Sequence, residues 1–236
     1  MPNFRTPRII GRIIKSLFAL FILAVNALLL WRVFFSTKIP ESISTMIANQ
    51  ELRAAYEQYG DDLTLRYQEQ STVTRAEYNY GYFSVPQCIF IPEADQVQVI
   101  VRYNKSTFTH LAEDYSLAEE PERTAPVFDV TLVKTTDLTP DNKDDNIKAE
   151  FLAPQRYFPT EETVQDTTDL YTYYRYVFEG VSVDELTVGV FVDIYYTEDC
   201  DYSEKAYGTL CVFDDQSKWR EYDLTKADKK ALTANE

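Results

Sequence analysis

The stretch LTVGVFVDIYY, residues 186–196, decides the fold class of this chain. Its six even-numbered positions are all apolar, whereas the odd-numbered positions include Thr187, Gly189 and Asp193. A period of two places alternate side chains on opposite faces of an extended strand. The stretch therefore predicts a β-strand with one buried face and one wetter face.

The same alternation recurs along the chain on the N-terminal side of this strand. It appears in three sets of apolar positions: Leu63, Leu65 and Tyr67; Val97, Val99, Val101 and Tyr103; Phe128, Val130 and Leu132. Four further runs are rich in aromatic and β-branched residues, which favour strands: Tyr82 to Val85, Cys88 to Ile91, Tyr173 to Phe178 and Tyr207 to Phe213. No long helical pattern separates these runs, so a parallel sheet with crossover helices is not expected. The pattern predicts a mainly β fold, an antiparallel β-sandwich that is Ig-like or jelly-roll-like with its topology open, in preference to a barrel.

An apolar segment precedes the β-rich part of the chain. Residues 13–35 read IIKSLFALFILAVNALLLWRVFF, and Asn26 is the one polar residue between Leu17 and Leu30. About 20 largely apolar residues span the hydrocarbon core of a bilayer. Lys15 and Arg32 can then extend to opposite headgroup regions. The segment predicts a transmembrane helix that contacts lipid along residues 13–35.

A cleaved signal peptide is the alternative interpretation of this segment. It is less favoured because the apolar run is long and the residues after it, WRVFFSTKIP, contain no small-x-small cleavage pattern. Asn26 provides a group for hydrogen bonding to a second helix, although a lone asparagine in such a helix is more often tolerated than functional.

Charge is distributed unevenly along the chain, and this distribution predicts the orientation of the helix in the membrane. Residues 1–40 carry six bases and no acid, and the remainder carries 17 bases against 38 acids. Four of the six bases precede the apolar run. The positive-inside rule therefore predicts a single-pass protein of the cell membrane with a cytoplasmic N-terminus and an exported body. So acidic a body repels phosphate backbones, which argues against nucleic-acid binding.

The sequence predicts five segments. They are a basic N-terminus at 1–12, the transmembrane anchor at 13–35, a juxtamembrane helix and linker at 36–62, the extracytoplasmic β-domain at 63–223 and a C-terminal tail at 224–236. The helix of the third segment follows from the helical spacing of apolar residues after Pro40 and from Gly60 at its end. It either forms a stalk or packs on the domain, and it is interpreted as a spacer in preference to a partner-binding or dimerising helix. The tail either forms a short helix behind Thr225 or frays.

No motif with the spacing of a known catalytic or cofactor site is present. His110 is the one histidine, and it is interpreted as a surface or loop residue. The six glycines form no phosphate-binding loop. We therefore predict no catalytic, cofactor-binding or metal-ligating residue and no cofactor.

Two acidic groups carry the oxygen ligands that calcium prefers. The first comprises Asp137, Asp141, Asp144 and Asp145 with Asn142 and Asn146, and the second comprises Glu198, Asp199 and Asp201. Starting at Asp141, the first group fails the EF-hand pattern, since Asn146 stands where glycine is needed and Leu152 where glutamate is needed. A looser calcium site stays open, and solvated acidic loops are the favoured interpretation of both groups.

The tyrosines and cysteines leave alternatives open. Tyrosines cluster at Tyr78, Tyr80 and Tyr82 and again at Tyr171, Tyr173, Tyr174 and Tyr176. One interpretation is a binding platform, either for sugar rings or for a protein partner. The other, which we favour, is that these tyrosines fill the core. Cys200 and Cys211 could bridge a hairpin with Cys88 free, or all three thiols stay reduced. Asn104-Lys105-Ser106 matches the glycosylation sequon, which is relevant only in a eukaryote.

These observations predict a membrane-tethered extracytoplasmic module without catalytic activity that contacts a protein partner or an envelope polysaccharide. Two alternatives stay open. One is an extracytoplasmic hydrolase that uses a pair of carboxylates, which sequence spacing cannot test because the pair is defined by distance in space. The other is an accessory subunit of a larger membrane complex, joined through its transmembrane helix.

Overall fold

A computed structural model of the chain describes residues 6–36, 38–68, 82–136, 154–184, 187–214 and 216–234. The chain divides into two compact units, Met1–Lys38 and Ile39–Glu236. The acidic loop predicted at Asp137 to Asn146 and the tyrosines Tyr78 and Tyr80 lie outside the described residues.

The first unit contains one long helix, α1 (Thr6–Ser36). Within it, Ile14–Arg32 is long and apolar enough to cross a membrane. The Asn26 side chain donates a hydrogen bond to the carbonyl oxygen of Ile22 at 2.9 Å, one turn earlier in the same helix. One N–H of this amide is therefore satisfied without a second helix.

The second unit contains the β-rich fold. Its helices are α2 (Glu41–Ser44), α3 (Gln50–Tyr59), α4 (Lys105–Asp114) and α5 (Lys226–Thr233). Its strands are β1 (Arg66–Gln68), β2 (Phe83–Ile91), β3 (Gln96–Asn104), β4 (Phe128–Thr136), β5 (Gln155–Tyr157), β6 (Val164–Thr167), β7 (Tyr171–Glu179), β8 (Thr187–Tyr196), β9 (Gly208–Phe213) and β10 (Trp219–Glu221).

The strands form two antiparallel sheets. The six-stranded sheet has the order β10-β1-β2-β3-β7-β6, and the four-stranded sheet has the order β5-β4-β8-β9. The longest pairings join β3 to β7, from Gln96↔Glu179 to Asn104↔Tyr171, and β4 to β8, from Phe128↔Tyr196 onward. The predicted class, mainly β with antiparallel sheets behind an apolar N-terminal helix, is confirmed.

The two sheets share one apolar core. Alternate residues of both sheets belong to a single buried cluster, which includes Val97, Val99, Val101, Tyr174, Tyr176 and Phe178 from the larger sheet and Val130, Leu132, Val190, Val192 and Ile194 from the smaller one. Sheets packed face to face in this way form a sandwich. The alternation from residue 190 onward is thus explained, because Val190, Val192, Ile194 and Tyr196 enter this core. Val188, at the start of β8, is 47% exposed, and Leu186 lies outside the described residues.

The opposite face of the larger sheet is also buried. Helices α3 and α5 cover Ile89 and Ile91 of β2 through Leu52 and Leu232. We call residues 39–49 the strap, and its Ile43 packs on Ile100 of β3 and Tyr173 of β7. The globular unit therefore begins at Ile39. The helix predicted at 36–62 is not a spacer, because its apolar side is buried against the sheet.

The structure adds elements that the strand patterns did not indicate. Helix α4 follows β3 directly and buries Thr107, Phe108 and Leu111. The runs at Tyr82 to Val85 and Cys88 to Ile91 belong to one strand, β2, whose register against β3 shifts between Ser84 and Gln87. The three-residue strands β5 and β10 and the four-residue strand β6 are too short for alternation to identify them.

Candidate binding groove

Strands β1 and β2 diverge at one edge of the larger sheet and leave a cavity. Strand β1 pairs with β10 at three positions but meets β2 only at Arg66↔Phe90 among the described residues. The shifted part of β2 contains Pro86, which has no backbone N–H to donate to a neighbouring strand. This local sequence favours the irregularity in the ladder between β2 and β3, and the residues around it, from Val85 to Cys88, line the cavity.

The cavity at this place has a volume of about 650 Å³, within the range of ligand-binding clefts. We call it the groove. Its walls come from both sheets and from the segment after β10: Tyr67, Gln68, Val85, Pro86, Gln87, Cys88, Cys211, Val212, Glu221, Tyr222 and Asp223. The rings of Tyr67 and Tyr222 meet edge to face with centroids 6.5 Å apart. The lining thus combines aromatic surface with side-chain amides and carboxylates.

A second cavity of about 460 Å³ adjoins the groove and shares Glu221, Tyr222 and Asp223 with it. Asp61 and Asp62 also line this extension, and its one lysine, Lys229, donates to Asp61 at 2.7 Å. The contact with Lys229 lowers the pKa of Asp61, and the same bond raises the pKa of Lys229. Because the lysine is already paired, the charge along the groove and its extension stays negative.

Two groove residues connect to fully buried polar groups behind the wall. Gln87 accepts a hydrogen bond from Arg175 through its side-chain carbonyl. The Tyr222 hydroxyl donates to Asp228 at 3.3 Å. Burial raises the pKa of Tyr222, the Asp228 carboxylate adds to the shift, and a hydrogen bond with Gln87 opposes it. Arg175 and Asp228 are both 0% exposed.

Cys88, in the wall of the groove, is not an activated nucleophile. Cys88 is buried, and burial raises the pKa of its thiol. A thiol that stays protonated is a poor nucleophile. Among the residues that the structure describes, no group of three or more His, Cys, Asp or Glu side chains could hold a metal ion.

The tyrosine cluster predicted as either platform or core belongs to the core. Tyr173, Tyr174 and Tyr176 are 0%, 8% and 8% exposed. The rings of Tyr174 and Tyr176 stack with centroids 5.7 Å apart inside the sandwich. A binding platform built from these three side chains is therefore excluded.

The remaining residues singled out by the sequence do not meet in one site. His110 lies on helix α4, stacks on Tyr82 at 4.1 Å and places Nδ1 3.4 Å from Glu113. Glu198, Asp199 and Asp201 are exposed, and Asp201 accepts from the backbone and hydroxyl of Ser203. Of the sequon, Asn104 ends β3 and accepts from Ser106.

Cys88, Cys200 and Cys211, all of them described in the structure, form no disulfide bond. The hairpin disulfide between Cys200 and Cys211 is therefore not formed. The Cys200 sulfur lies 3.9 Å from Asp129, and the Cys211 sulfur lies 3.7 Å from the carbonyl oxygen of Phe213.

Sequence reasoning missed Gln87, Arg175 and Tyr222. Arg175 carried a usable signal, since it stands within the aromatic run YTYYRYVF, where a charge is unexpected on a buried strand. Gln87 and Tyr222 carried none, because they meet only in the folded chain.

No family model, curated protein or solved structure matches this chain.

Proposed function

We propose that this protein is a membrane-anchored binding module without catalytic activity, whose groove holds an extended segment of a protein partner. The observation that carries this proposal is the lining of the groove. The tyrosines offer flat apolar surface with a hydroxyl, and the exposed carboxylates of Glu221 and Asp223 offer acceptors for the N–H groups of a peptide and its basic side chains. Such a lining recognises a chain without transforming it.

Charge defines the chemistry of the partner segment. Glu221 and Asp223 are exposed on the wall shared by the groove and its extension. A segment with lysine or arginine side chains fits these carboxylates, and its aliphatic stems can lie on the rings of Tyr67 and Tyr222. Electrostatic complementarity of this kind also raises the association rate and selects partners.

The apolar helix supports a place for this module at a membrane. In our proposal residues 13–35 stay in the bilayer of the cell membrane, the N-terminus is cytoplasmic and the body is exported, as the distribution of basic residues favours. Protease added to intact cells would then digest the body while a cytoplasmic marker survives. An intact body alongside a digested exported control contradicts this orientation.

Binding of defined peptides tests the groove. Fluorescence anisotropy with the full chain in detergent micelles compares an eight-lysine peptide with an eight-glutamate peptide. We expect the lysine peptide alone to bind, with an affinity that falls as salt is added. Glu221→Gln with Asp223→Asn should weaken binding about tenfold, because two ion pairs are removed and each exposed pair contributes up to about 1 kcal/mol.

A matched pair of substitutions separates the groove from the general acidity of the domain. Glu119→Gln with Glu120→Gln removes two exposed carboxylates elsewhere in the unit and should leave the affinity within about twofold. Equal losses in both double variants would show nonspecific attraction and contradict the proposal. Tighter binding of a glucosamine oligomer than of the lysine peptide would reassign the groove to an envelope polymer.

A further inference from the structure

The strap is held to the larger sheet by buried side chains that bond to its backbone. Arg175 donates from Nε to the carbonyl oxygen of Ile43 at 2.7 Å and from a terminal nitrogen to that of Ser44 at 3.0 Å. The Met46 N–H donates to Asp228 at 2.7 Å. Polar groups that recognise backbone in this way hold the strap as a protein holds a bound peptide.

Gln98 completes this docking from the middle of the sheet. Its side-chain amide accepts from the N–H of Ile47 at 3.0 Å and donates to the carbonyl oxygen of Ile47 at 2.7 Å. The same carbonyl of Gln98 accepts from Arg175 at 3.0 Å. The strap, Gln98 and Arg175 therefore form one connected network, and such networks respond as a unit when a member is removed.

The groove reaches the same network at two points. Gln87 bonds to Arg175, and Tyr222 bonds to Asp228. Both groove residues are thus one hydrogen bond away from a side chain that holds the strap. Arg175 also lies close enough to Tyr222 and Asp228 for both to influence its pKa.

We propose that occupancy of the groove and docking of the strap are thermodynamically linked. An occupant that takes the Gln87 carbonyl or the Tyr222 hydroxyl as its own partner withdraws that group from Arg175 or Asp228. The bonds from Arg175 and Asp228 to Ile43, Ser44 and Met46 then weaken. The assignment of the groove as a binding site rests on the proposed function, and the linkage itself is testable without any occupant.

Release of the strap has a mechanical consequence. The strap follows helix α1 in the chain, and its 11 residues span roughly 35 Å when extended. An occupied groove would thereby lengthen the tether of the sandwich. The coupling is reciprocal. If occupancy of the groove changes the docking equilibrium of the strap by some factor, then undocking the strap by tension on the tether changes the affinity of the groove for its occupant by the same factor.

Hydrogen exchange at the Met46 and Ile47 amides measures strap docking directly, in the full chain in detergent micelles. Gln87→Met removes the acceptor for Arg175 and should speed exchange at both amides about fivefold. Gln87→Glu pairs Arg175 with a carboxylate and should slow exchange at the Met46 and Ile47 amides. Gln165→Met makes the same change at an exposed glutamine of β6, whose amide donates to Thr124, and should leave both rates unchanged.

Two results overturn the linkage. One is unchanged exchange at Met46 and Ile47 in Gln87→Met. The other is faster exchange at the amide of Val99, in the core, by the same factor as at Met46 and Ile47, which would indicate that the variant loosens the whole unit. The opposite signs expected for Gln87→Met and Gln87→Glu keep the test decisive even if one variant is less stable.

The eight-lysine peptide connects the linkage to the proposed function. Binding of the peptide with faster exchange at Met46 and Ile47 supports both. Binding with unchanged exchange overturns the linkage and leaves the function standing. If the peptide does not bind, the proposed function fails, and the Gln87 variants alone decide the linkage.

Discussion

Arg175 is a buried cation whose partners are mainly neutral. It is 0% exposed and bonds to two backbone carbonyls and two glutamine side chains. Burial lowers the pKa of Arg175 to about 10, and nearby Tyr222 and Asp228 oppose that shift. A guanidinium suits this place because its donors form a fixed planar fork that can serve several acceptors at once.

Replacing this arginine tests its structural role. Arg175→Met conserves much of the volume but leaves the carbonyls of Ile43 and Ser44 without their buried donor. We expect the free energy of unfolding to fall by about 2–4 kcal/mol, since unsatisfied buried polar groups cost about 1–3 kcal/mol each. Urea denaturation followed by tryptophan fluorescence measures it. Arg220→Met at an exposed position should change it by less than about 0.5 kcal/mol, and equal effects at the two positions would refute the role.

Glu179 makes stability depend on pH in a predictable direction. Glu179 is exposed, but partial desolvation of its carboxylate and the charges of Glu51 and Glu162 raise its pKa above the ordinary value of 4.5, while a hydrogen bond from Asn49 opposes the shift. The folded state therefore favours the protonated form. Its stabilising contribution is complete below pH 4.5 and is lost as pH rises through the raised pKa.

Glu179→Gln should remove this dependence. The melting temperature of the wild type should fall relative to that of the variant as pH rises from 4 to 7. Glu204→Gln, at an exposed acid between β8 and β9, should follow the wild type across the range. A wild type that gains stability relative to Glu179→Gln over this interval would contradict the sign.

At the scale of elements, the strap and helix α5 are joined to each other on the same face of the larger sheet. Asp228 closes a capping box with Thr225 at the start of α5 and also accepts from Met46 in the strap. Arg53 of α3 donates to the carbonyl oxygen of Leu232 at 3.5 Å. The C-terminal segment is therefore part of the folded unit.

Removal of residues 226–236 should consequently destabilise the whole unit. The truncation loses the buried Leu232 and the Asp228 carboxylate, and we expect the free energy of unfolding to fall by about 3–5 kcal/mol, since a buried leucine alone contributes about 2–5 kcal/mol. Lys230→Ala, at an exposed position of α5, serves as the control in urea denaturation. A truncated chain with unchanged stability would show that the segment is a dispensable tail.

Local periodicity made some of these elements predictable. Alternation identified β3, β4 and β8, because pleated strands impose it on neighbouring residues. The helix after Pro40 was also predictable, but its packing was not, since an apolar face does not say what covers it. The groove could not be predicted, because its walls come from parts of the chain as distant in sequence as Tyr67 and Asp223. The docking of the strap could not be predicted either, because Arg175 and Ile43 are 132 residues apart in sequence. Gln87 and Arg175 are 88 apart.

The whole molecule combines a basic, apolar N-terminal segment with an acidic globular unit. With 17 bases against 38 acids after residue 40, the globular unit is repelled by anionic headgroups. The same charge favours a basic partner at the groove. In our account the apolar helix supplies the location and the groove supplies the recognition.

Site-specific photo-crosslinking in native membranes tests the central claim, that the groove holds a protein partner. A photoreactive amino acid at Val212, on the groove wall, should give a discrete protein adduct that Glu221→Gln with Asp223→Asn suppresses. The same amino acid at Glu119 should give none. No adduct at Val212, or an equal adduct at Glu119, would contradict the claim.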